Sequence, residues 1–100
     1  MTIKKLKNLR NNIDKIDQDL YALVQKRASY AVDIGKLKSK LSPKDSYYKP
    51  DRESKILRNI LKANKKGLLP DSKIRIIFKE LISGCLSLEE VLKVAYLGPE

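Results

Sequence analysis

Residues 6–23 read LKNLRNNIDKIDQDLYAL. Apolar side chains recur here every three or four residues, at Leu6, Leu9, Ile13, Ile16, Leu20 and Leu23. This spacing is the heptad stripe of an α-helix that packs along its whole length. The stripe continues at Tyr30, Ile34, Leu37 and Leu41, and no proline occurs between residues 3 and 41. The sequence therefore predicts a single helix of about 35 to 39 residues.

The length of this helix predicts a partner. At 1.5 Å per residue it is about 55 Å long. A compact domain of this size has a radius of gyration near 13 Å and is only about 35 Å across. The helix would extend beyond its own domain with its apolar stripe in water. A second copy of the chain is the simplest cover for such a stripe, so we predict a homodimer built on this helix.

Two shorter helices are predicted after a loop over residues 42–50, which contains two prolines. The second helix covers residues 51–66, with Gly67 as its C-cap. The third opens at residues 70–72, where a Pro-Asp-Ser signal offers an Asp or Ser N-cap. The predicted fold class is therefore all-α, a three-helix subunit with a very long first helix.

The end of the chain breaks the helical pattern. Residues 87–90 have the spacing of a capping box, which predicts that the third helix kinks or restarts there. Residues 94–97, Val-Ala-Tyr-Leu, precede Gly98 and Pro99 and predict a β-strand entering a turn. We expect the chain to pass there into the start of another domain, and a frayed tail is the alternative.

Composition excludes several classes of function. The chain has 100 residues, 42% of them hydrophobic and 34% charged, which is typical of a globular domain. No apolar run approaches the roughly 18 residues of a membrane span, and the N-terminus lacks the apolar region of a signal peptide. One cysteine and no histidine argue against a disulfide framework, a zinc site and His-activated nucleophiles. Carboxylates, lysines and arginines must carry any chemistry.

The net charge of +10 favours an anionic partner, which is a nucleic acid, a membrane surface or a small polyanion. Most of the cations are lysines scattered along the chain, and such an excess is commonly a solvated surface. Arginine is more informative because its planar guanidinium binds carboxylates at two points. The chain has only five arginines, at positions 10, 27, 52, 58 and 75.

Cations interrupt the apolar stripe of the first helix. The position that follows Leu20 and Leu23 in the stripe is Arg27, which either reaches the edge of the stripe or faces a buried anion. Lys38 lies eleven residues further, about three turns and 16 Å along the same side. Arg10 lies about 25 Å before Arg27 and reaches the same ligand only from a second subunit.

The other two helices also carry polar groups at inward positions. Arg52 and Glu53 begin the second helix, each four residues before an apolar position, and a helix N-terminus suits an anion. Cys85 and Glu89 continue the apolar line of the third helix. Glu89 is then either exposed at the rim or desolvated inside. Together these positions predict a polar pocket for an anion inside a helical dimer.

The same residues carry a resemblance. Leu9-Arg10 with the two Ile-Asp pairs at 13–14 and 16–17, Lys26-Arg27, IGKLK at 34–38 and PDRE at 50–53 resemble the all-helical (AroQ-type) chorismate mutase family over about residues 5–92. That resemblance implies an intertwined homodimer of three-helix subunits. Residues 94–100 resemble the opening strand of a prephenate dehydratase domain. We therefore expect a chorismate mutase domain over 1–93 and the truncated start of a second domain over 94–100, as in bifunctional members.

The resemblance also implies an activity, the Claisen rearrangement of chorismate to prephenate in phenylalanine and tyrosine biosynthesis. Carried over by position, Arg27 and Arg10 of the partner subunit bind the substrate carboxylates. Arg52 lies near them, Lys38 reaches a carboxylate as well as the ether oxygen, and Cys85 is close to a carboxylate.

Three further positions follow from the resemblance. Glu89 donates a hydrogen bond to the ether oxygen beside Lys38, and for that its carboxyl group must be protonated. Glu53 accepts a hydrogen bond from the ring hydroxyl. Lys49 stands where many family members carry an aspartate that accepts from the same hydroxyl, so that acceptor is lost and Glu53 is left to do the work.

The resemblance implies no cofactor and no metal, and we expect a cytoplasmic protein without a nucleic-acid or membrane partner. The alternative is a basic helical module that binds nucleic acid or forms a coiled coil without catalysis. It explains the charge and the heptads, but not Arg27 in the stripe nor the Pro-x-Arg-Glu start of the second helix. A third interpretation keeps the fold and makes the domain regulatory or inactive, because of Lys49.

Overall fold

The computed structural model describes the backbone of residues 2–40 and 50–96, and the side chains of residues 2–40 and 51–89. The chain forms three helices, α1 (Thr2–Ser39), α2 (Pro50–Ala63) and α3 (Asp71–Tyr96). The described residues contain no strand, and none of these helices is long and apolar enough to cross a membrane. The predicted all-α class and the very long first helix are confirmed, since α1 has 38 residues. Most of the predicted loop lies outside the described residues.

Helix α1 contacts α3 through a face of small residues next to the heptad stripe. Ala31 and Gly35 are buried, and Ala28 and Val32 are half-buried. Small side chains let two helix backbones approach closely, which explains why this face is the one that packs against α3. The heptad stripe itself stays exposed from Leu6 to Leu37. The stripe therefore has no cover among the described residues of its own subunit.

Helix α3 is the central element, because it contacts both α1 and α2 while the described parts of those two do not contact each other. The buried apolar side chains in the described part of the chain are Ala31, Leu57, Ile82 and Cys85. The Cα atoms extend over 64 × 30 × 14 Å, with a radius of gyration of 18.4 Å. A compact chain of this length has about 13 Å. The subunit is therefore an open layer about one helix thick.

Helix α2 ends at Ala63, three residues before the predicted end at Lys66. Side-chain hydrogen bonds, and not a glycine C-cap, mark this end. The side-chain amide of Asn64 donates to the carbonyl oxygen of Leu69 at 3.0 Å and to Oδ1 of Asp71 at 2.8 Å. Asparagine side chains compete in this way with helix continuation. Gly67 is not the predicted left-handed C-cap, because no described glycine has a positive φ. Its N–H donates to the carbonyl of Asn64 at 3.2 Å.

Helix α3 also corrects three local predictions. The carbonyl of Pro70 accepts the first helical hydrogen bonds, so neither Asp71 nor Ser72 is the N-cap. The helix does not restart at residues 87–90, because the Ser87 hydroxyl donates to the carbonyl of Ser83 at 3.1 Å, within the same helix.

The strand predicted over residues 94–97 is wrong for 94–96, which are helical. Position 97 and the residues after it lie outside the described part of the chain. Apolar residues at positions 88, 92 and 95 continue the helical period, and this pattern outweighs the weak strand preference of Val94 and Tyr96.

Candidate functional site

One ion pair joins the last turn of α1 to α3. Lys38 Nζ donates to Glu89 Oε1 at 2.6 Å, and it is the only ion pair within the described residues. The side chains are 24% and 14% exposed, so solvent screens the interaction less than at an open surface. Charge-assisted hydrogen bonds of this length are among the stronger ones in proteins. The contact brings together two residues that are 51 positions apart.

Apolar side chains lie beside this pair. Cys85 is buried one turn before Glu89 on α3, and Ile82 is buried one turn before Cys85. Ala31, which is 4% exposed, lies two turns before Lys38 on α1. Ala31, Ile82 and Cys85 together are called the floor below. The Lys38–Glu89 pair lies at its edge, where electrostatic interactions are stronger than in water.

Arg27 lies on the same side of α1 as this floor. It precedes Ala31 by one turn and Lys38 by about three turns. It is half-buried, unlike most of the polar residues before it on α1, which are exposed. Two of the three cations of α1 that the sequence singled out, Arg27 and Lys38, therefore line one side of the helix, where α3 begins to cover it.

The start of α2 contributes one carboxylate to the packed side. Glu53 is half-buried, on the face where Leu57 packs, whereas Arg52 is exposed. Both lie in the first turn of α2, where Asp51 and Glu53 also complement the helix dipole. The structure thus places Glu53, and not Arg52, on the face that α2 turns toward α3. Lys49 lies outside the described residues.

Arg10 is far from these groups within its own subunit. It is exposed in the N-terminal half of α1. Eighteen residues separate it from Ala28, which is about five full turns, so the two residues share one face of α1. At Ala28 this face is covered by α3, and at Arg10 no described part of the chain covers it.

Two residues of the floor, Ala31 and Ile82, were not assigned to the site from the sequence, although Ile82 was placed on the apolar line that Cys85 and Glu89 continue. Their signal is their position between charged residues on the same side of a helix: Ala31 lies between Arg27 and Lys38, and Ile82 precedes Glu89 by two turns. A small or apolar residue on the line of two site residues is the pattern to look for.

This arrangement suits an anion that also carries an ether or hydroxyl oxygen. The cations bind carboxylates, and at one small region Lys38 supplies a donor while the carboxylate of Glu89 supplies acceptor oxygens. The described residues hold no cluster of three metal-ligating side chains.

Comparison with known proteins places this geometry in a family. The family model described as chorismate mutase type II matches residues 9–90. The chain belongs to the chorismate mutase type II family. The match covers most of the chain and so confirms the resemblance predicted from the sequence. The alternative of a basic nucleic-acid-binding or coiled-coil module gains no support from it.

Similar chorismate mutase proteins are bifunctional. The chain is 43% identical over 98% of its length to the bifunctional chorismate mutase/prephenate dehydratase of Aquifex aeolicus. It is 40% identical over 96% of its length to the protein of that name from Pseudomonas aeruginosa, and 43% identical over 91% to the one from Neisseria gonorrhoeae. The chain spans 24–27% of the length of these relatives. No solved structure matches the chain.

Proposed function

We propose that this chain catalyses the Claisen rearrangement of chorismate to prephenate, a step in aromatic amino acid biosynthesis. The observation that carries the proposal is the contact between Lys38 and Glu89, 2.6 Å long and partly buried, in a chain of the chorismate mutase type II family. It gathers at one point the two side chains that the family resemblance assigns to the ether oxygen of the substrate.

The reaction needs conformational selection more than covalent chemistry. Chorismate is a flexible dianion, and its transition state is a compact chair. Cations that hold both carboxylates select the reactive conformer and lower the entropic part of the barrier. We assign this role to Arg27 and to Arg10 of the partner subunit, with Arg52 and Cys85 near the carboxylates. Arg52 is exposed at the start of α2, so its long side chain is free to reach a carboxylate of the substrate.

The breaking bond leaves partial negative charge on the ether oxygen. Preorganised donors aimed at such an oxygen contribute about 10²- to 10³-fold each. Lys38 is one donor, and Glu89 is the second when its carboxyl group carries a proton. Glu53 accepts a hydrogen bond from the ring hydroxyl. Lys49, in place of the aspartate of many family members, leaves Glu53 as the acceptor.

The proposed active form is a homodimer, because a single subunit exposes far more surface to water than a compact monomer of the same mass. Its accessible surface is 8755 Å², against about 5,800 Å² for a compact monomer of this mass. The excess of about 3,000 Å² per subunit, or about 6,000 Å² for a pair, lies at the upper end of what obligate dimers bury. Because Arg10 shares a face of α1 with Ala28, a second subunit packed antiparallel on this face brings its own Arg10 toward the floor at Ala31.

The remaining expectations rest on the relatives and on the resemblance. We propose that residues 1–93 form the chorismate mutase domain and that residues 94–100 begin the link to a dehydratase domain, without the strand expected over 94–96. The dehydratase activity named for the relatives requires the rest of their length. A cytoplasmic location also stays a prediction.

The direct test is the loss of chorismate absorbance with the purified chain. We expect turnover, and we expect Lys38→Ala to lower kcat by about 10²- to 10³-fold. Lys36→Ala is the matched control, since Lys36 is exposed on the same turn of α1 and should leave kcat unchanged. Absence of turnover, or equal effects of the two substitutions, would contradict the proposal.

The shared site has its own test. Arg10→Ala and Lys38→Ala homodimers should both be nearly inactive. After subunit exchange, about half of the dimers are mixed and each mixed dimer has one intact site, so about a quarter of wild-type activity should return. No recovery in a mixture that has demonstrably exchanged subunits would place Arg10 outside the partner's site.

A further inference from the structure

Positive charge is concentrated at the start of α1. Lys4, Lys5, Lys7 and Arg10 all lie before Asp14, which is the first acidic residue of the chain. The four cationic side chains are exposed. We call the three lysines the lysine cluster. No described carboxylate forms an ion pair with it.

Helix stability does not explain the lysine cluster. The N-terminal end of a helix carries a partial positive charge and favours acidic residues, but the first turn of α1 has none. Lys4 and Lys7 are also three residues apart, as are Lys7 and Arg10, so like charges are neighbours on the helix surface. An anion that comes from outside the helix would explain why the charges are there.

The charge along α1 changes sign twice. Residues 4–10 carry four cations, residues 14–19 carry three acids and one lysine, and residues 26–40 carry five cations and one acid. In an antiparallel pair, each end of α1 lies beside the opposite end of the partner's α1, and the two middle segments face each other. Cations then face cations and acids face acids, which opposes association. The pattern therefore concentrates positive charge in two places without holding the subunits together.

These two places coincide with the proposed active sites. In the proposed dimer, Arg10 of the partner subunit lies beside Ala31, and the two helices run in opposite directions. Lys4 of the partner subunit lies six residues before that arginine, which is about 9 Å along the helix toward Lys38. Ala31 and Lys38 are themselves about 10 Å apart along α1. The lysine cluster of one subunit therefore lies level with the site of the other.

We propose that the lysine cluster of each subunit draws the dianionic substrate into the partner's active site by long-range electrostatic attraction. This inference rests on the proposed function and adds residues that assist binding without touching the substrate. A cleft lined with charge of one sign raises the local concentration of an oppositely charged ligand. The net charge of chorismate does not change during the rearrangement, so the attraction is equal for the bound substrate and the transition state. The cluster therefore lowers KM and leaves kcat unchanged.

The test combines Lys4→Gln, Lys5→Gln and Lys7→Gln in one variant, with KM and kcat for chorismate measured at several salt concentrations. For a dianion about 10 Å from each lost charge in water, screened Coulomb attraction predicts a rise in KM of about fivefold at about 0.1 M salt. The rise should reach about twentyfold at about 0.01 M and vanish near about 1 M. The value of kcat should not change.

A second triple variant, Lys62→Gln, Lys65→Gln and Lys66→Gln, is the matched control. These lysines are exposed around the end of α2, and the variant loses the same charge. A side-chain hydrogen bond ties this end of α2 to Asp71, which lies about 27 Å along α3 from Glu89. Because that distance exceeds two Debye lengths at about 0.1 M salt, KM should rise less than about twofold.

A charge-retaining variant separates charge from side-chain shape. Lys4→Arg, Lys5→Arg and Lys7→Arg together should keep the wild-type KM, and a rise in KM would contradict an effect of charge alone. Sedimentation equilibrium should show that the glutamine variant of the cluster dimerises at least as tightly as the wild type. Weaker dimerisation would show that the lysines hold the subunits together and would overturn the inference.

The kinetic outcomes distinguish this inference from the proposed function. Wild-type turnover, with an unchanged KM in the cluster variant or an equal rise in the α2 control, would overturn the inference and leave the proposed function intact. A fall in kcat at constant KM would also overturn it. A wild type that does not turn over chorismate would contradict the proposed function and the inference together.

Discussion

Replacing Glu89 by glutamine separates the structural role of the Lys38 contact from its chemical role. The amide keeps the shape and one oxygen that accepts from Lys38 Nζ, now 2.6 Å from Oε1, but it removes the negative charge. Lys38 keeps its charge, so the bond stays charge-assisted, and what is lost is the Coulomb attraction of a partly buried ion pair. That loss is about 1 kcal/mol. For a domain of this size we expect Tm to fall by about 4–8 °C.

The effect of Glu89→Gln on activity tests the chemical role. The carboxylate of Glu89 accepts from Lys38 and cannot donate to the ether oxygen, whereas the amide nitrogen of Glu89→Gln can. We therefore expect kcat of the variant to exceed that of the wild type, by up to about 10²-fold.

The assay is chorismate loss at constant pH and ionic strength. Glu80→Gln is the control, because Glu80 is an exposed carboxylate on the same helix. An equal kcat for Glu89→Gln and the wild type would refute the donor role, even if Tm fell as expected. An unchanged Tm would refute the structural role of the ion pair.

Three further substitutions test other parts of the structure. A Cβ on Gly67 would lie 1.9 Å from Asn64 Oδ1. Gly67→Ala should therefore displace the side-chain amide of Asn64, weaken its two hydrogen bonds and lower the free energy of unfolding in urea by about 1 kcal/mol. A more stable variant would contradict the role of Asn64 in the turn after α2. Ala31→Leu should cost about 1–3 kcal/mol by overpacking the contact between α1 and α3, while Ala22→Leu at an exposed position should not, and similar values would contradict that packing. Arg52→Ala should raise KM about tenfold or more with an unchanged unfolding midpoint, since the side chain is exposed; an unaltered KM would remove it from the site.

The long helix was predictable because its signal is local and repeated. The heptads from Leu6 to Leu37 fix its length within a few residues. The packed face was not predictable from the same signal. Periodicity shows that a helix has an apolar side, but it does not show which side its own chain covers. The subunit uses the small residues around Ala31, and the larger stripe beside them stays exposed.

The predicted helix ends were wrong where side chains compete with the backbone for hydrogen bonds. Asn64 stops α2 early through two side-chain hydrogen bonds, and one of them depends on Asp71, seven residues away. Ser87 looks like a helix start in the sequence but bonds back to Ser83 within α3. Such contacts depend on the three-dimensional position of the turn, which spacing in the sequence does not contain.

Much of the candidate site could be predicted from charged residues that lie on the apolar faces of helices. Lys38 and Glu89 were both identified because each lies on the apolar side of its helix, and the structure brings them into contact. Their common target was implied by the family resemblance and not by periodicity. The position of Arg52 outside the packed face was not foreseen, because a four-residue spacing to an apolar residue does not fix where a long side chain points.

Because the subunit is a layer about one helix thick, almost all of its backbone lies close to solvent. In the proposed homodimer, the slowest amides in hydrogen–deuterium exchange should be those covered by the second subunit, and their exchange should slow further as protein concentration rises. Folding and association would then be one cooperative event, and newly made chains would gain resistance to proteases only as they dimerise.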